Sequence, residues 1–395
     1  MSKLVPKLRF KEFSGEWDKK ILNQICKINP TTNGLPNSFI YIDLESVVNG
    51  TLLKETKIDK DEAPSRAQRL LKKGDVIYQM VRPYQKNNLF FNFDNNDYVA
   101  STGYAQLRAL DSSGFLYQLI HTDTFVNKVL NKSTGSNYPA INSKDLSQIN
   151  VIIPTLKEQQ KIANTLSSLD SLIEAYQRKV EALQKHKKGL MQQLFPAEGA
   201  NVPKLRFKEF SGEWEEKKLG EVSNVSMGQS PTSSSYNNLG NGVYLIQGNA
   251  DIKNRFSNPR QWTTEPTKLC DIGDLILTVR APVGYIAKSI HKACIGRGVC
   301  SLSKKENNNI EFIYQFLLSY EKNWVSLEQG STFTAVSGND IKSLKIFIPT
   351  PKEQQKIANT LSSLDNLIEA QQRKVEALKK HKKGLMQQMF VSGEE

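Results

Sequence analysis

Apolar residues recur at alternating intervals of four and three along a stretch that occurs twice in the chain. In the first copy only Lys187 interrupts the series, and in the second copy Gln371 and Lys382 do so. This spacing is typical of a coiled-coil seam. It predicts a helix–helix interface formed by Ile162, Leu166, Leu169, Ile173, Val180, Leu183, Ile357, Leu361, Leu364, Ile368, Val375 and Leu378.

The repeated stretch covers residues 152–195 and 347–390, and 38 of its 44 positions are identical at an offset of 195. About 38 helical residues in each copy would form a rod of roughly 57 Å. A lone helix cannot bury a narrow apolar stripe, so the two helices should pack on each other. Because Pro196 ends the first helix and few residues precede the next repeat, the second helix should return antiparallel to the first.

A second repeated segment, VPKLRFKEFSGEW, opens each half of the chain at Val5–Trp17 and Val202–Trp214. It follows one predicted helix and, if the helices are antiparallel, lies near the end of the other. We expect it to cap the helices or to dock each half onto them. Trp17 and Trp214 are predicted to be packing anchors rather than base-stacking residues.

Between these repeats the two halves share an order of short apolar runs. Each has a run after Gly-Asp (74–87 and 273–288), a further strand, an amphipathic helix (115–130 and 310–327) and a glycine-serine loop. Short runs bounded by Gly and Pro are typical of strands. The pattern predicts a mixed α/β fold of two similar globular domains joined by two long antiparallel coiled-coil helices. The predicted segments are domain 1–153, helix 154–195, linker 196–201, domain 202–348, helix 349–390 and tail 391–395.

The chain is basic, with 53 Lys and Arg against 40 Asp and Glu and a net charge of +13. Such a balance favours a polyanionic partner, nucleic acid first, although some basic proteins are merely soluble. The start MSKLVPKLRF resembles no signal peptide and no run is long enough to span a membrane, so we expect a cytoplasmic protein.

The four cysteines contain no CxxC pair and favour free thiols. His291, Cys294 and Cys300 could be imagined as metal ligands, but their spacing matches no zinc pattern, and no metal site is predicted. The chain also has no GxxxxGK[ST] phosphate loop, no dinucleotide-binding glycine motif and no Asn-Pro-Pro-aromatic box. We therefore predict no catalytic residues and no cofactor bound by this chain.

Polar and basic residues follow the predicted strand ends in both halves. Guanidinium, ammonium, amide and hydroxyl groups suit base edges and phosphates, and glycine lets a backbone approach a ligand closely. Each residue alone is a weak signal, since polar loop residues are usually just solvated. The predicted DNA-binding residues are Arg82, Tyr84, Lys86, Asn87, Thr102, Tyr104, Ser136, Asn137, Arg280, Arg297, Ser331 and Thr332.

Near the end of each long helix stands the sequence KHKKG, which includes Lys187 and Lys382. The simplest interpretation is a solvated basic face that suits the helix C-terminus. Because these two lysines fall on the seam, a partner helix or a phosphate backbone is a competing interpretation.

With these residues in view, the chain resembles the specificity (S) subunit of Type I restriction-modification systems over nearly its whole length. The resemblance lies in IPTLKEQQKIANTLSSLD and IPTPKEQQKIANTLSSLD, in the LRFKEFSGEW segments, and in the Gly-Asp strands and TGY turn. It implies that the globular domains are target recognition domains for a split site in double-stranded DNA, with the helices as spacer. It further implies two methyltransferase (M) subunits that bind S-adenosylmethionine, and restriction (R) subunits that use ATP and Mg. The alternative is a coiled-coil DNA-binding regulator or scaffold without modification partners.

Overall fold

The computed structural model describes residues 4–32, 34–95, 97–329 and 336–392. The chain forms two compact units. The first unit contains residues up to Gln177 together with those from Arg373 onward, and the second contains Arg178–Gln372. The sequence-based boundaries kept each long helix as a separate segment. The compact units instead divide each long helix, at residues 177/178 and 372/373.

The first unit places its strands in two four-stranded sheets, in the orders β6-β3-β10-β7 and β2-β11-β8-β9, with β1 paired to β12 and β4 to β5. Its strands are β1 Asp18–Ile21, β2 Cys26–Ile28, β3 Ser38–Ile42, β4 Val47–Val48, β5 Thr51–Leu52, β6 Thr56–Asp59, β7 Ala67–Leu70, β8 Asp75–Gln79, β9 Leu89–Phe90, β10 Tyr98–Ser101, β11 Tyr104–Ala109 and β12 Asn150–Ile153. Its helices are α1 Ser113–Ile120, α2 Asp123–Lys132, α3 Ser143–Ser147 and the start of α4 Leu156–Leu194.

The second unit has a six-stranded sheet, β14-β24-β21-β22-β18-β17, a five-stranded sheet, β15-β19-β16-β23-β20, and a β13–β25 pair. Its strands are β13 Glu215–Lys218, β14 Ser223–Met227, β15 Tyr236–Asn237, β16 Val243–Ile246, β17 Ile252–Lys253, β18 Phe256–Ser257, β19 Gln261–Thr263, β20 Leu269–Cys270, β21 Leu275–Thr278, β22 Ile286–Lys288, β23 Ala293–Ile295, β24 Val299–Lys304 and β25 Lys345–Ile348. Its helices are α5 Leu219–Val222, α6 Ile310–Gln329, α7 Gly338–Ser343 and most of α8 Pro351–Met389.

The long helices α4 and α8 have 39 residues each. In the first unit Ile162 and Leu166 of α4 share a core with Met389 of α8. In the second unit Ile357 of α8 shares a core with Leu194 of α4. The start of each helix thus lies beside the end of the other, which confirms the predicted antiparallel pairing. Of the twelve predicted interface residues, eight are buried and Leu169, Leu183, Leu364 and Leu378 are half-buried.

Each VPKLRFKEFSGEW segment is bound to the start of a long helix by one arginine. Arg9 donates two hydrogen bonds to the carboxylate of Glu158, at 2.8 and 2.7 Å, and Arg206 does the same to Glu353, at 2.8 and 2.8 Å. Both glutamate side chains are 1% exposed. A bidentate, charge-assisted pair holds two planar groups in one geometry. The predicted docking of these segments onto the helices is therefore confirmed.

The two tryptophans of these segments are core residues. Trp17 is 2% exposed and packs edge-on against Phe115 and Phe390, while Trp214 is 3% exposed and packs against Phe312. Their predicted role as packing anchors is confirmed. Trp17 thereby joins the globular part of the first unit to Phe390 at the end of α8, and in the second unit Phe312 contacts both Trp214 and Phe195 at the end of α4.

The predicted helix over 115–130 is wrong in one respect, because the structure has two helices there. Helix α1 ends at Ile120 and α2 begins at Asp123. Thr122 separates them, since its hydroxyl donates to the carbonyl of Leu119 and accepts from the N–H of Phe125. A threonine that caps a new helix N-terminus competes with continuation of the preceding helix.

Candidate nucleic-acid interface

In the first unit, backbone hydrogen bonds bring three predicted loops to one edge. Met80, just after β8, donates its N–H to the carbonyl of Gly103 in the β10–β11 turn at 3.0 Å, and Ile141 donates to the carbonyl of Met80 at 3.0 Å. Arg82 donates its N–H to the carbonyl of Pro139 at 2.7 Å. The end of β8, the TGY turn (residues 102–104) and the GSNYP loop (residues 135–139) therefore form one continuous surface.

The second unit repeats this arrangement. Val279, just after β21, donates its N–H to the carbonyl of Gly298 at 2.9 Å, and Val336 donates to the carbonyl of Val279 at 3.0 Å. The matching bonds join matching segments, although the sequences around them differ. The structure thus brings Arg280 and Arg297 to an edge equivalent to that of Arg82. Ser331 and Thr332 lie outside the described residues.

Arg82 is held on this edge by its own backbone and by Tyr138. Its φ of 53° is in the left-handed region, which non-glycine residues adopt only where neighbours over-determine it. The guanidinium carbon lies 4.1 Å from the centre of the Tyr138 ring, a cation–π contact. Tyr84 is 49% exposed, Ser136 and Asn137 are exposed, and Thr102 is half-buried. That these residues contact DNA stays a prediction.

Lys86 and Asn87 make bonds within the first unit. The Lys86 ammonium lies 2.7 Å from a carboxylate oxygen of Asp123 and donates to the carbonyl of His121 at 2.9 Å. The hydrogen bond from Lys86 lowers the pKa of the Asp123 carboxyl. The side-chain oxygen of Asn87 accepts from the N–H of Asn49 at 3.1 Å. Both side chains therefore anchor the loop to neighbouring elements.

The prediction that Tyr104 contacts DNA is wrong. Its side chain is fully buried among the residues of a core cluster, and its hydroxyl donates to the carbonyl of Asp43 at 3.3 Å. Burial raises the pKa of this phenol. Tyr104 is the first residue of β11, after the turn that carries the half-buried Thr102, and its ring packs into this core rather than lying on the turn surface.

Two groups of arginines in the globular parts differ in their pairing with carboxylates; Arg69, inside β7 with a buried Nε, belongs to neither group. Arg9, Arg108, Arg206, Arg255 and Arg260 each form an ion pair with a carboxylate of their own unit. Within the part of the chain that the structure describes, no carboxylate pairs with Arg66, Arg82, Arg280 or Arg297. Arg66, Arg280 and Arg297 are exposed and Arg82 is partly so. All four lie at the edges described above, where unneutralised cations are available to a polyanion.

Arg66 was missed from the sequence. It lies beside the TGY turn, because its carbonyl accepts from the N–H of Thr102 at 2.8 Å. It stands in a polar stretch with no apolar period or glycine turn to mark it. Only the pairing of β7 with β10 places it next to Thr102.

A partly exposed histidine, His121, lies beside the loop that carries Lys86. Its Nδ1 lies 2.7 Å from the carbonyl oxygen of Tyr117, and its Nε2 lies 3.3 Å from Nδ2 of Asn88. Burial lowers the pKa of His121 to about 4; the hydrogen bond to the Tyr117 carbonyl opposes this shift, and the charges of Lys382 and Lys86 contribute to it. A neutral ring donates one of these bonds and accepts the other.

Among the described residues, no group of three or more His, Cys, Asp or Glu is placed to hold a metal ion, and no helix could span a membrane.

The duplicated fold and its two arginine-bearing edges are features of a protein with tandem nucleic-acid-recognition domains. The family model for the Type I restriction modification DNA specificity domain matches residues 14–185 and 211–380. The match covers most of the chain, and the chain belongs to this family.

Named specificity subunits are similar to the chain over long stretches. The putative type I restriction enzyme MjaX specificity subunit of Methanocaldococcus jannaschii is 37% identical over 256 residues, which are 63% of this chain and 60% of that protein. The type I restriction enzyme MjaVIII specificity subunit of the same organism is 27% identical over 338 residues, 80% of this chain and 73% of that protein. The chain thus spans about 60% of the length of the first of these relatives.

A solved structure gives the same fold. Its description reads "Structural basis underlying complex assembly and conformational transition of the type I R-M system". The matched chain is 29% identical, with a TM-score of 0.59, and the match covers 95% of this chain and 97% of that one. The agreement over nearly full length supports the predicted mixed α/β fold with two similar domains and long helices.

Proposed function

We propose that this chain is the DNA sequence-specificity subunit of a type I restriction-modification complex. Each globular unit recognises one part of a split target in double-stranded DNA, and the chain itself carries out no chemical step. The observation that supports this most directly is the position of Arg66, Arg82, Arg280 and Arg297, which have no carboxylate partner among the described residues. In both units they lie at the edge formed by a strand end and a glycine turn, where DNA phosphates and base edges could be bound.

We propose that two M subunits and further R subunits assemble on this chain in the cytoplasm. S-adenosylmethionine would be bound by the M subunits, and ATP and Mg by the R subunits. The sequence motifs for these ligands are missing from this chain, which is what a division of labour among subunits requires. Adenine methylation needs the base to leave the stack, so the M subunits must act next to the recognised half-sites.

The long helices are proposed to set the length of the unread gap between half-sites. Each helix of 39 residues measures roughly 58 Å at 1.5 Å per residue. A paired helix resists bending, so the number of helical residues between the two attachment points limits which gaps are accepted. A change in helix length should alter the gap and leave both half-sites unchanged.

The decisive experiment maps methylated adenines in the host genome with and without this gene. We expect a split motif that disappears when the gene is deleted. Replacing Ser38–Val151 by the equivalent part of another family member should then change one half-site only. A genome whose methylation does not depend on the gene would contradict the proposal and favour a DNA-binding regulator without modification partners. The comparisons give that alternative no support.

A further inference from the structure

Three loops of the second unit meet at the arginine-bearing edge. Gln229 donates its N–H to the carbonyl of Ile295 at 2.9 Å, and Arg297 donates its N–H to the hydroxyl oxygen of Ser230 at 3.1 Å. Gly296 donates its N–H to the carbonyl of Ile246, just before Gln247, at 2.8 Å. The turn at 296–298 therefore lies between the loop after β14 and the loop after β16.

Glycine is required for this approach. A Cβ on Gly298 would lie 2.1 Å from the carbonyl oxygen of Gln247, and a Cβ on Gly228 would lie 2.1 Å from that of Gly296. Real Cβ atoms do not come so close to backbone oxygens, so the backbones contact each other only because no side chain stands between them. Loops packed in this way fix the backbone positions from which their side chains extend, which base recognition needs.

The loop after β16 is also fixed by a buried carboxylate. One oxygen of Asp251 accepts from the N–H of Gln247 at 2.9 Å, and the other accepts from Arg260 Nε at 3.0 Å. The side chain of Asp251 is 8% exposed, against 63% for Arg260. Arg260 is thus paired with Asp251. Within the described part of the chain, Gln247 is bound only through its backbone N–H, so its side-chain amide is available to a ligand.

The side chains carried by these loops suit purine bases. Gln229 and Arg297 are exposed and Gln247 is half-buried, and among the described residues their amide and guanidinium groups have no hydrogen-bond partner. A glutamine amide pairs with both N6 and N7 of adenine, and a guanidinium pairs with both O6 and N7 of guanine.

We propose that Gln229, Gln247 and Arg297 are specificity-determining residues that contact base edges in the half-site recognised by the second unit. The two glutamines are suited to adenine and the arginine to guanine. This inference rests on the proposed function and adds to it the residues and bases of one half-site. Arginines paired with a carboxylate, such as Arg260, are not proposed to contact bases.

The test replaces each residue by alanine in the chromosomal gene and maps methylated adenines. Each substitution should relax one base position of one half-site, so that the preference for the cognate base falls roughly 5- to 150-fold. Lys304→Ala is the matched control, because Lys304 is exposed at the opposite end of β24. It should leave the motif unchanged.

Gln247→Glu provides a second variant of nearly the same shape, and it should shift the preference at its position toward cytosine, whose N4 amino group donates to a carboxylate. An unchanged motif, or methylation that weakens equally at all sites in a protein of wild-type thermal stability, overturns the inference alone. A wild-type gene with no associated split motif overturns the proposed function and this inference with it.

Discussion

Asp170 on α4 accepts hydrogen bonds from the Lys382 ammonium on α8 through both of its carboxylate oxygens, at 2.6 and 2.7 Å. Gln118 of α1 donates to the same carboxylate at 2.9 Å. The lysine that interrupts the apolar seam is therefore neutralised across the helix pair, and the globular part of the unit is tied to the same carboxylate.

The second unit contains the same contact with the helices exchanged. Lys187 of α4 lies 2.6 Å from Asp365 of α8, and Gln315 of α6 donates to Asp365 at 2.8 Å. Burial lowers the pKa of the Lys187 ammonium, and the hydrogen bond to Asp365 opposes that shift. Lys187 and Lys382 therefore do not lie on a solvated basic face. Each pairs with a carboxylate on the other long helix, so the partner helix of the sequence-based alternatives is a helix of the same chain.

We predict that Lys382→Met lowers the free energy of unfolding of the first unit by about 1–3 kcal/mol, because it leaves the Asp170 carboxylate with one neutral donor. Urea denaturation followed by circular dichroism measures the change. Lys380→Met is the control, since Lys380 is exposed two residues earlier in the same helix and its loss should change stability by less than about 0.5 kcal/mol. Equal stabilities of the two variants would contradict the prediction.

Arg9→Lys should destabilise the first unit although it keeps the charge. A lysine cannot donate two parallel hydrogen bonds to Glu158 and also reach the carbonyls of Gly15 and Ser14, as Arg9 does. Because Glu158 is buried, we expect a loss of about 2–4 kcal/mol. Lys11→Ala, at an exposed position of the same segment, is the control in the same denaturation measurement. A variant as stable as wild type would show that the arginine geometry is unimportant.

Arg82→Ala should relax one position of the half-site recognised by the first unit, at a cost of about 1–3 kcal/mol if Arg82 contacts a base. Equal weakening at all sequences would instead assign it to a phosphate. Since Arg82 has a positive φ, Arg82→Asn is a second variant whose side chain tolerates that backbone conformation. If only the alanine variant loses specificity, backbone strain is the cause and the prediction of a base contact is wrong. Methylation mapping supplies the measurement.

Stability should fall as the pH falls from about 6.5 toward 4. The folded-state pKa of His121 is lowered to about 4, whereas an unfolded histidine titrates near 6.5. Between these values the unfolded chain binds a proton that the folded chain does not, which favours unfolding. His121→Gln should make the fall shallower in melting curves recorded across this range. His381→Gln, at an exposed position, should leave the dependence as in wild type.

Local patterns in the sequence predicted the frame of this protein. The heptad spacing predicted both long helices, and Pro196 with the short linker after it predicted their antiparallel pairing. The duplicated segments predicted two similar α/β units. Short apolar runs after Gly-Asp predicted strands at β8 and β21. These predictions succeed because helix and strand periods, prolines and repeats act over a few residues and can be counted along the chain.

Which polar residues are available to a ligand was decided by the tertiary structure. Arg255 and Arg280 look alike in sequence, yet Arg255 pairs with Glu321, 66 residues further on, and Arg280 is exposed without a carboxylate partner among the described residues. Likewise, only the packed structure shows that Tyr104 lies in a core and that Arg66 lies beside the TGY turn. Ion pairs and burial depend on contacts between residues far apart in sequence, and these contacts exist only once the sheets and helices have packed.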